Sequence, residues 1–182
     1  MDYTVVLVKP DGVKRGIIGE ILMRFERVGL KIAAAKLIWV DEVKAGKHYR
    51  DDEEYHKSVG EKTFENYKKY GLDLKEKLGV KNEIEMGKLV RKWNMDYLAE
   101  GPLFAMLLTG PRAIELVRKL VGFTFPFDAV PGTIRGDYGL ESVQTANLEA
   151  RSTKNLIHAS GSKEEAEFER KLWFKESEIY DY

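Results

Sequence analysis

The sequence predicts an α+β sandwich of the ferredoxin-like type, an antiparallel βαββαβ sheet with helices on one side, extended by a helical insert. Two observations predict this fold class. Apolar, β-branched runs alternate with amphipathic segments in that order, and a charged, helix-rich stretch separates the second strand from the third. We expect residues 1–182 to form a single domain, because 182 residues with 43% hydrophobic side chains can bury a sizeable core.

Four elements are predicted before residue 51. Apolar and β-branched residues from Thr4 to Val8 indicate a buried strand that ends at Lys9, because a residue before proline favours extended backbone. An Asp11-Gly12 turn follows. Helical spacing of apolar residues then indicates a helix, a second apolar run indicates a strand, and Asp41 is a typical helix start. These last three elements cover 17–29, 31–40 and 41–50.

Residues 51–101 differ in composition from the rest of the chain. They are rich in charge, and their sparse apolar residues keep roughly helical spacing; these include Tyr67, Tyr70, Leu89, Val90, Trp93 and Tyr97. We interpret the stretch as a helical insertion within the domain rather than as disorder. Packing on the body together with subunit assembly is favoured as its role, and a lid over a bound ligand is the alternative.

The second half of the chain is predicted to contain the remaining strands. The apolar run from Pro102 to Gly110 indicates a central strand. The next helix covers 111–121, with Pro111 at its first position and Gly122 after its end. The other predicted segments are an ordered loop over 123–140, a second short insertion over 139–153, a strand in NLIHAS (155–160), a helix with a Ser162–Glu165 capping box and a polar tail over 175–182.

Composition excludes several classes of function. Lysine and arginine together number 30 and are balanced by 30 acidic residues, so the chain has no net field for general polyanion binding. Without cysteine it has no disulfide, thiolate nucleophile or Cys-ligated metal, which favours a reducing compartment. No apolar stretch approaches the ~18 residues of a membrane span, and the first apolar run is too short for a signal peptide. We therefore expect a cytoplasmic protein that needs neither a membrane nor nucleic acid.

The histidines are the first candidates for chemistry, because the common signatures G-x-x-x-x-G-K-[ST], G-x-G-x-x-G and G-x-S-x-G are absent from the sequence. His48 and His56 lie among charged residues, and we expect both to be solvated. His158 follows an apolar pair at a strand end. Taken alone, it is equally well a buried histidine bonded to backbone or a functional group.

Three cations strengthen the functional interpretation of His158. Arg118 falls on the inner, apolar stripe of its helix, where it needs an anion or a cleft. Lys9 ends a buried strand, and Arg135 lies in PGTIRGD, whose glycines permit close backbone approach to a ligand. Each cation alone is more often a structural ion-pair partner. Together they predict an anion site without a P-loop.

Several motifs in this order resemble the nucleoside diphosphate kinase family. They are KPDGV (9–13), HY (48–49), PGTIRGD (131–137), and NLIHAS (155–160) followed by an acidic helix that ends in LWF. The resemblance covers residues 2–49 and 102–174. It implies a ferredoxin-like fold, a homo-oligomer that is usually a hexamer, and Mg²⁺-dependent exchange of a γ-phosphoryl group between nucleoside tri- and diphosphates through phosphohistidine.

The same resemblance implies roles for individual residues. His158 is similar to the family's nucleophile, Glu169 to the carboxylate on its other ring nitrogen, and Ser160 to the residue that supports this pair. The residues similar to those that hold phosphates and ribose are Lys9, which also counts as catalytic, Tyr49, Arg118, Thr124, Arg135 and Asn155. Mg²⁺ would be held by the nucleotide phosphates, without a direct protein ligand.

The sequence departs from the family pattern around the base and the metal. The segment after Tyr49, where the family has its stacking aromatic, is replaced by the insert, so that Val59, Phe64 and Tyr67 are candidates for stacking. Gly161 stands in place of an aspartate that could help to place the metal, and Ser152 replaces a small apolar residue.

The sequence also bears on base selectivity and on two rival functions. If binding energy comes from phosphates and ribose, with the base only stacked, base selectivity will be low. An inactive paralogue acting as an oligomeric interaction protein is the alternative. A single-strand nucleic-acid binder is disfavoured, because the predicted strands are aliphatic and the net charge is zero.

Overall fold

The computed structural model describes residues 2–69, 71 and 78–182, and its sheet has the predicted topology. Four strands lie in the order β2-β3-β1-β4, and each neighbouring pair is antiparallel. The strands are β1 (Asp2–Val8), β2 (Lys31–Ile38), β3 (Leu103–Gly110) and β4 (Ile157–Ala159). This is the ferredoxin-like order, and β3 is a central strand as its unbroken apolar run predicts.

Helices and helical turns connect the strands. Within the described residues they are α1 (Pro10–Lys14), α2 (Ile18–Glu26), α3 (Glu42–His48), α4 (Glu53–Lys69), α5 (Glu83–Ala99), α6 (Ala113–Val121), α7 (Ile134–Tyr138), α8 (Val143–Leu148), α9 (Lys163–Trp173), and 3₁₀ turns over Pro126–Asp128 and Glu176–Glu178. None of the helices in this part of the chain combines the length and apolar character needed to cross a membrane.

Helices cover both faces of the sheet, so the expectation of helices on one side was wrong. Alternate residues of β1 point to opposite faces, and all of them from Thr4 to Val8 are buried. One face packs with Phe25 of α2 and Val117 of α6. The other packs with Leu98 of α5 and Trp173 of α9. The second core exists because helix α5 of the insert and the last helix, α9, supply apolar side chains to that face.

The insert is a helical hairpin with very close backbones. A Cβ on Gly60 would lie 1.8 Å from the Glu83 carbonyl oxygen, and one on Gly87 would lie 1.9 Å from that of His56, so only glycine permits this approach. Tyr67 is buried in the hairpin core and donates its hydroxyl to the Asn147 carbonyl at 2.9 Å. The predicted packing position Tyr70 lies outside the described residues.

His56 is buried, which corrects the expectation that it is solvated. Its side chain is 4% exposed, and its Nε2 lies 3.0 Å from Asp51 Oδ1. Helix α5 causes this burial, because the glycine contact at Gly87 brings that helix directly over the histidine backbone.

Several element boundaries also differ from the predictions. Helix α1 stands where a turn was expected at Asp11-Gly12, and it begins at Pro10, a position that proline favours. Pro111 lies outside helix α6, because Arg112 adopts a left-handed φ of 51° and the helix begins after it. The expected loop and second insertion contain the short helices α7 and α8.

Candidate active site

The sheet brings the two ends of the chain together at one pocket. Strand β4 pairs with β1 so that His158 lies opposite Leu7 and Ile157 opposite Val8, which places Lys9 beside His158. A pocket of about 290 Å³ opens there. The sequence-predicted residues that line it are Lys9, Tyr49, Arg118, Thr124, Arg135, Asn155 and His158. Ser160 and Glu169 are buried next to the pocket rather than lining it.

The His158 ring is hydrogen-bonded to Glu169 through one of its two nitrogens. Its Nε2 lies 2.7 Å from Oε1 of Glu169, and Ser160 Oγ donates to Oε2 of the same carboxylate at 2.7 Å. Only 2% of the Glu169 side chain is exposed, against 19% of the His158 side chain. Because an ionised carboxylate only accepts, Nε2 carries the proton and Nδ1 keeps its lone pair.

Electrostatics keep the His158 ring neutral. Burial lowers the pKa of His158 to about 3, the cations Lys9, Arg135 and Arg118 act in the same direction, and Glu165 acts against them. Burial also raises the pKa of Glu169, while His48 and Ser160 oppose that shift. At physiological pH the imidazole is therefore uncharged.

Lys9 has a buried amine whose hydrogen-bond partner is neutral. Its Nζ donates to Asn155 Oδ1 at 2.8 Å, and the Asn155 amide in turn donates to the Thr124 carbonyl at 3.1 Å. Burial, followed by the charge of Arg135, lowers the pKa of Lys9 to about 7, with Asp11 acting against both. An anion in the pocket would restore the charged form.

Backbone carbonyls hold Arg135 in every hydrogen bond that its side chain makes within the described residues. Its guanidinium donates to the carbonyls of Gly122, Phe123, Asn155 and Ile157 over distances from 2.6 to 3.2 Å. Burial and then the charge of Arg118 lower its pKa to about 10, which still leaves it cationic. Carbonyl dipoles fix the position of this charge without neutralising it, so it stays available to a phosphate.

Arg118 lies at the pocket rim. The buried stripe of α6 consists of Ile114, Val117 and Val121, whereas Arg118 is exposed beside it, so its predicted place on the inner stripe was wrong. Among the described residues, Lys9, Arg118 and Arg135 form no ion pair with a carboxylate. Three basic side chains around a neutral imidazole, without a direct ion pair, make this a site that favours an anion.

His48 is part of the site, contrary to the expectation that it is solvated. Its ring centroid lies 4.5 Å from that of His158, and its Nδ1 lies 3.5 Å from Glu169 Oε1. Burial, followed by the neighbouring titratable ring of His158, lowers its pKa to about 3. Helix α3 packs against α9, which covers this ring with Trp173. The sequence contained one indication that His48 is buried. It lies three residues after the apolar Ala45, and this spacing places both side chains on one face of helix α3.

Tyr49 follows His48 into the pocket, and burial raises the pKa of its hydroxyl. The phenol therefore stays protonated at physiological pH and can donate a hydrogen bond to a bound anion.

A second cleft of about 230 Å³ adjoins the pocket around His158 and shares Lys9, Asn94, Thr124 and Asn155 with it. Its apolar lining comes from Val59, Val90, Trp93, Phe125 and Val143. Of the stacking candidates, Val59 lines this cleft, whereas Tyr67 is fully buried and Phe64 packs in the hairpin core. The sequence interpretation missed Trp93 and Phe125 because helix α5 and the loop meet only in the folded chain.

Comparison with known proteins gives one consistent result. A family model described as nucleoside diphosphate kinase matches residues 2–70 and 84–179. The nucleoside diphosphate kinase of Pyrobaculum aerophilum is 42% identical over 181 residues, covering 100% of this chain and 99% of that protein. The nucleoside diphosphate kinase of Borreliella burgdorferi is 38% identical over 182 residues, covering 100% of this chain and 92% of that protein.

Two solved structures are similar over the whole chain. A crystal structure of an NDP kinase from Pyrobaculum aerophilum has a TM-score of 0.97 at 41% identity and covers 99% of both chains. A transition-state mimic of nucleoside-diphosphate kinase from Borrelia burgdorferi, with bound vanadate and ADP, has a TM-score of 0.79 at 38% identity. It covers 100% of this chain and 91% of that one.

Proposed function

The chain belongs to the nucleoside diphosphate kinase family, and from that premise we propose that it transfers the γ-phosphoryl group of a nucleoside triphosphate to a nucleoside diphosphate through phosphohistidine at His158. The observation that best supports this proposal is the environment of the His158 ring. Its Nε2 is hydrogen-bonded to Glu169, and Lys9, Arg118 and Arg135 line the same pocket. Because all of these groups are in place, an inactive paralogue is the less favoured alternative.

Transfer follows from the state of the imidazole. The lone pair on Nδ1 attacks the γ-phosphorus, the P–O bond to the nucleoside diphosphate breaks, and that diphosphate leaves with the bonding electrons. No base has to remove a proton, because the proton already lies on Nε2. The Glu169 carboxylate then stabilises the positive charge that develops on the ring, while Ser160 fixes the carboxylate. The second half-reaction reverses these steps onto another nucleoside diphosphate.

The three cations stabilise charge on the transferred oxygens. Lys9 and Arg135 are held in place by Asn155 and by backbone carbonyls, so little reorganisation is needed when charge develops. Among the described residues that line the pocket, Glu165 is the one carboxylate, and a single carboxylate fits a metal held mainly by the nucleotide phosphates rather than by the protein. When bound through the nucleotide phosphates, Mg²⁺ would neutralise part of their negative charge.

We place the nucleoside in the second cleft. Asn155 and Lys9 stand between the two cavities, where a ribose would lie, and the apolar lining suits the face of a base. The inserted segments 51–101 and 139–153 meet at this cleft, because Ser152 Oγ donates to Asn94 Oδ1 at 2.6 Å. Since most fixed charge surrounds the phosphates, we expect low base selectivity.

We further propose a cytoplasmic homo-oligomer, with the hexamer usual in this family. Strand β2 is a sheet edge, and the apolar residues on it and after it are exposed, Leu37 by 60%, Trp39 by 68% and Val43 by 67%. An exposed edge of this kind invites pairing with a second copy. Sedimentation velocity tests the assembly: a hexamer that Leu37→Asp breaks into smaller species supports the proposal, and a wild-type monomer contradicts it.

The experiment that tests the proposed reaction is labelling with γ-³²P-ATP and Mg²⁺. We expect one acid-labile, alkali-stable phosphate per chain, which leaves when any nucleoside diphosphate is added. His158→Gln should remove the label. His56→Gln is the matched control, because His56 is another buried histidine outside the pocket and its variant should keep the label. Persistent label in His158→Gln, or none in the wild type, would refute the assignment.

A further inference from the structure

The backbone between Asn155 and His158 is strained. Leu156 has φ of 67°, and the Ile157 N–H donates to the Asn155 carbonyl at 2.7 Å, which closes a three-residue γ-turn of a rare kind. A leucine in this conformation persists only where its surroundings hold it. The turn lies between Asn155 and His158, which both line the pocket. The groups that hold the turn therefore also position these two side chains.

Two residues outside the predicted site hold this turn. Asp11 Oδ2 accepts the Leu156 N–H at 3.2 Å, and the Tyr97 hydroxyl accepts the Asn155 N–H at 3.1 Å. The same hydroxyl donates to Asp11 Oδ1 at 2.7 Å. Burial raises the pKa of Tyr97 well above its ordinary value, so that this donor keeps its proton.

The Tyr97 ring has a second contact in the site. The Lys9 Nζ lies 4.9 Å from the ring centroid, within the range of a cation–π interaction. Tyr97 is 4% exposed, so the contact is shielded from water and correspondingly stronger. One side chain therefore contacts the backbone that leads to His158 and the ammonium group of Lys9.

We infer that Tyr97, together with Asp11, is a positioning residue for phosphoryl transfer: its hydroxyl holds the strained turn before His158, and its ring face holds the Lys9 ammonium. The inference rests on the proposed function. Tyr97 lies in the last turns of helix α5. If Tyr97 positions the site, this helix of the insert contributes to catalysis as well as to packing.

The charge balance at Lys9 makes this role measurable. The groups around its ammonium are Asp11, which favours the charged form, Arg135, which disfavours it, and the neutral rings of His158, His48 and Tyr97. Burial already brings the pKa of Lys9 down to about 7. Loss of the aromatic face or of the Asp11 charge should lower it further.

The experiment measures two quantities from pH 6 to 9 in wild type, Tyr97→Phe, Tyr97→Leu, Asp11→Asn and the control Tyr67→Phe. One is the second-order rate constant for phosphoryl-enzyme formation. The other is the reactivity of the Lys9 amine toward acetic anhydride, followed by peptide mass spectrometry. Tyr67→Phe removes a hydroxyl from a buried tyrosine of the same hairpin. Within the described part of the chain, this tyrosine lines neither the pocket nor the second cleft, and its hydroxyl bonds a backbone carbonyl.

We expect Tyr97→Phe to slow phosphorylation about tenfold at all pH values, because the turn loses a bond while the ring remains. Tyr97→Leu and Asp11→Asn should also move the midpoint of Lys9 acetylation and the alkaline limb of the rate about one pH unit lower. Tyr67→Phe should match the wild type in both.

The two proposals fail in different ways. The positioning role is overturned by two results together. Tyr97→Phe would form the phosphoryl-enzyme at a rate within twofold of the wild type, and the midpoint of Lys9 acetylation would be unchanged in Tyr97→Leu and Asp11→Asn. A wild-type protein that forms no phosphoryl-enzyme would refute the proposed function instead, and Lys9 acetylation would still test the contact with Tyr97. If Tyr97→Leu fails to fold, Tyr97→Phe and Asp11→Asn decide the matter.

Discussion

Ser160 links the Glu169 carboxylate to strand β1, because its hydroxyl donates to Oε2 at 2.7 Å and accepts the Val5 N–H at 3.0 Å. We predict that Ser160→Ala costs about 1–3 kcal/mol of unfolding free energy, because a buried N–H loses its partner. It should also lower kcat about tenfold, since Glu169 loses its fixed orientation. Urea unfolding and steady-state kinetics measure both effects.

Ser162→Ala is the matched control for that substitution. Ser162 caps helix α9 by accepting the Glu165 N–H, so its loss should cost about 1 kcal/mol. It should leave kcat within twofold, because Ser162 touches neither Glu169 nor His158. Equal kcat losses in both variants would mean that Ser160 acts only through stability.

The fold could be predicted from the sequence where local pattern and tertiary packing agree. Strand β3 is apolar throughout because it is covered on both faces, and the pattern therefore indicates a central strand without knowledge of its neighbours. The glycine after α6 likewise ends the helix in sequence and structure, with φ of 85°. These features depend on residues within a few positions of each other.

The missed features all depend on contacts between distant segments. His48 shares a helix face with Ala45, but only the position of Trp173, 125 residues away, makes that face buried. His56 looks solvated until α5 closes over it at Gly87. The cations of the pocket were identifiable by motif, whereas Tyr97 and Asp11 contribute through a long-range hydrogen bond that no local spacing indicates.

We predict that His158 does not titrate near neutral pH. Burial and neighbouring cations lower its pKa to about 3, so its ring proton resonances should stay flat from pH 5 to 9 in NMR spectra assigned with His158→Gln. Lys9→Met should raise the pKa, because one of the cations is removed. A midpoint near 6.5 in the wild type would contradict the neutral, buried imidazole.

The same shift has a consequence for stability. His48 and His158 both have a folded pKa of about 3, well below the unfolded value of 6.5, so the unfolded chain binds more protons between these limits. Stability from these groups should be complete above pH 6.5 and fall as pH drops toward 3. Urea unfolding from about pH 4.5 to 7.5 should show a smaller slope in His48→Gln than in the wild type.

We predict that nucleotide binding takes up a proton at pH 8. The pKa of Lys9 is about 7, so most of the amine is neutral in the free protein, and a bound polyphosphate favours its ammonium form. Calorimetric titration with ADP in buffers of different ionisation enthalpy should show uptake approaching about one proton. Lys9→Met should abolish it. Exposed Lys92 pairs with Asp96, and Lys92→Met should retain it.

The close crossing of α4 and α5 should control the shape of the second cleft, in which we propose that the nucleoside binds. In Gly87→Ala the new Cβ would meet the His56 carbonyl oxygen at 1.9 Å, so the helices must separate, at a cost of about 2–3 kcal/mol. Val59 and Trp93 line the cleft from these two helices, and their displacement should raise KM for nucleotides several-fold more than it lowers kcat.

Gly19→Ala provides the comparison for the same chemical change. Gly19 lies in helix α2, and no neighbouring atom comes within 4 Å of the position that a Cβ would take, so alanine should stabilise the protein by about 1 kcal/mol through helix propensity. Thermal unfolding and nucleotide kinetics of the two variants separate a general glycine effect from the helix contact. If Gly87→Ala matches Gly19→Ala in stability and KM, the hairpin does not shape the cleft; a raised KM in Gly87→Ala alone ties base-side binding to the packing of the insert.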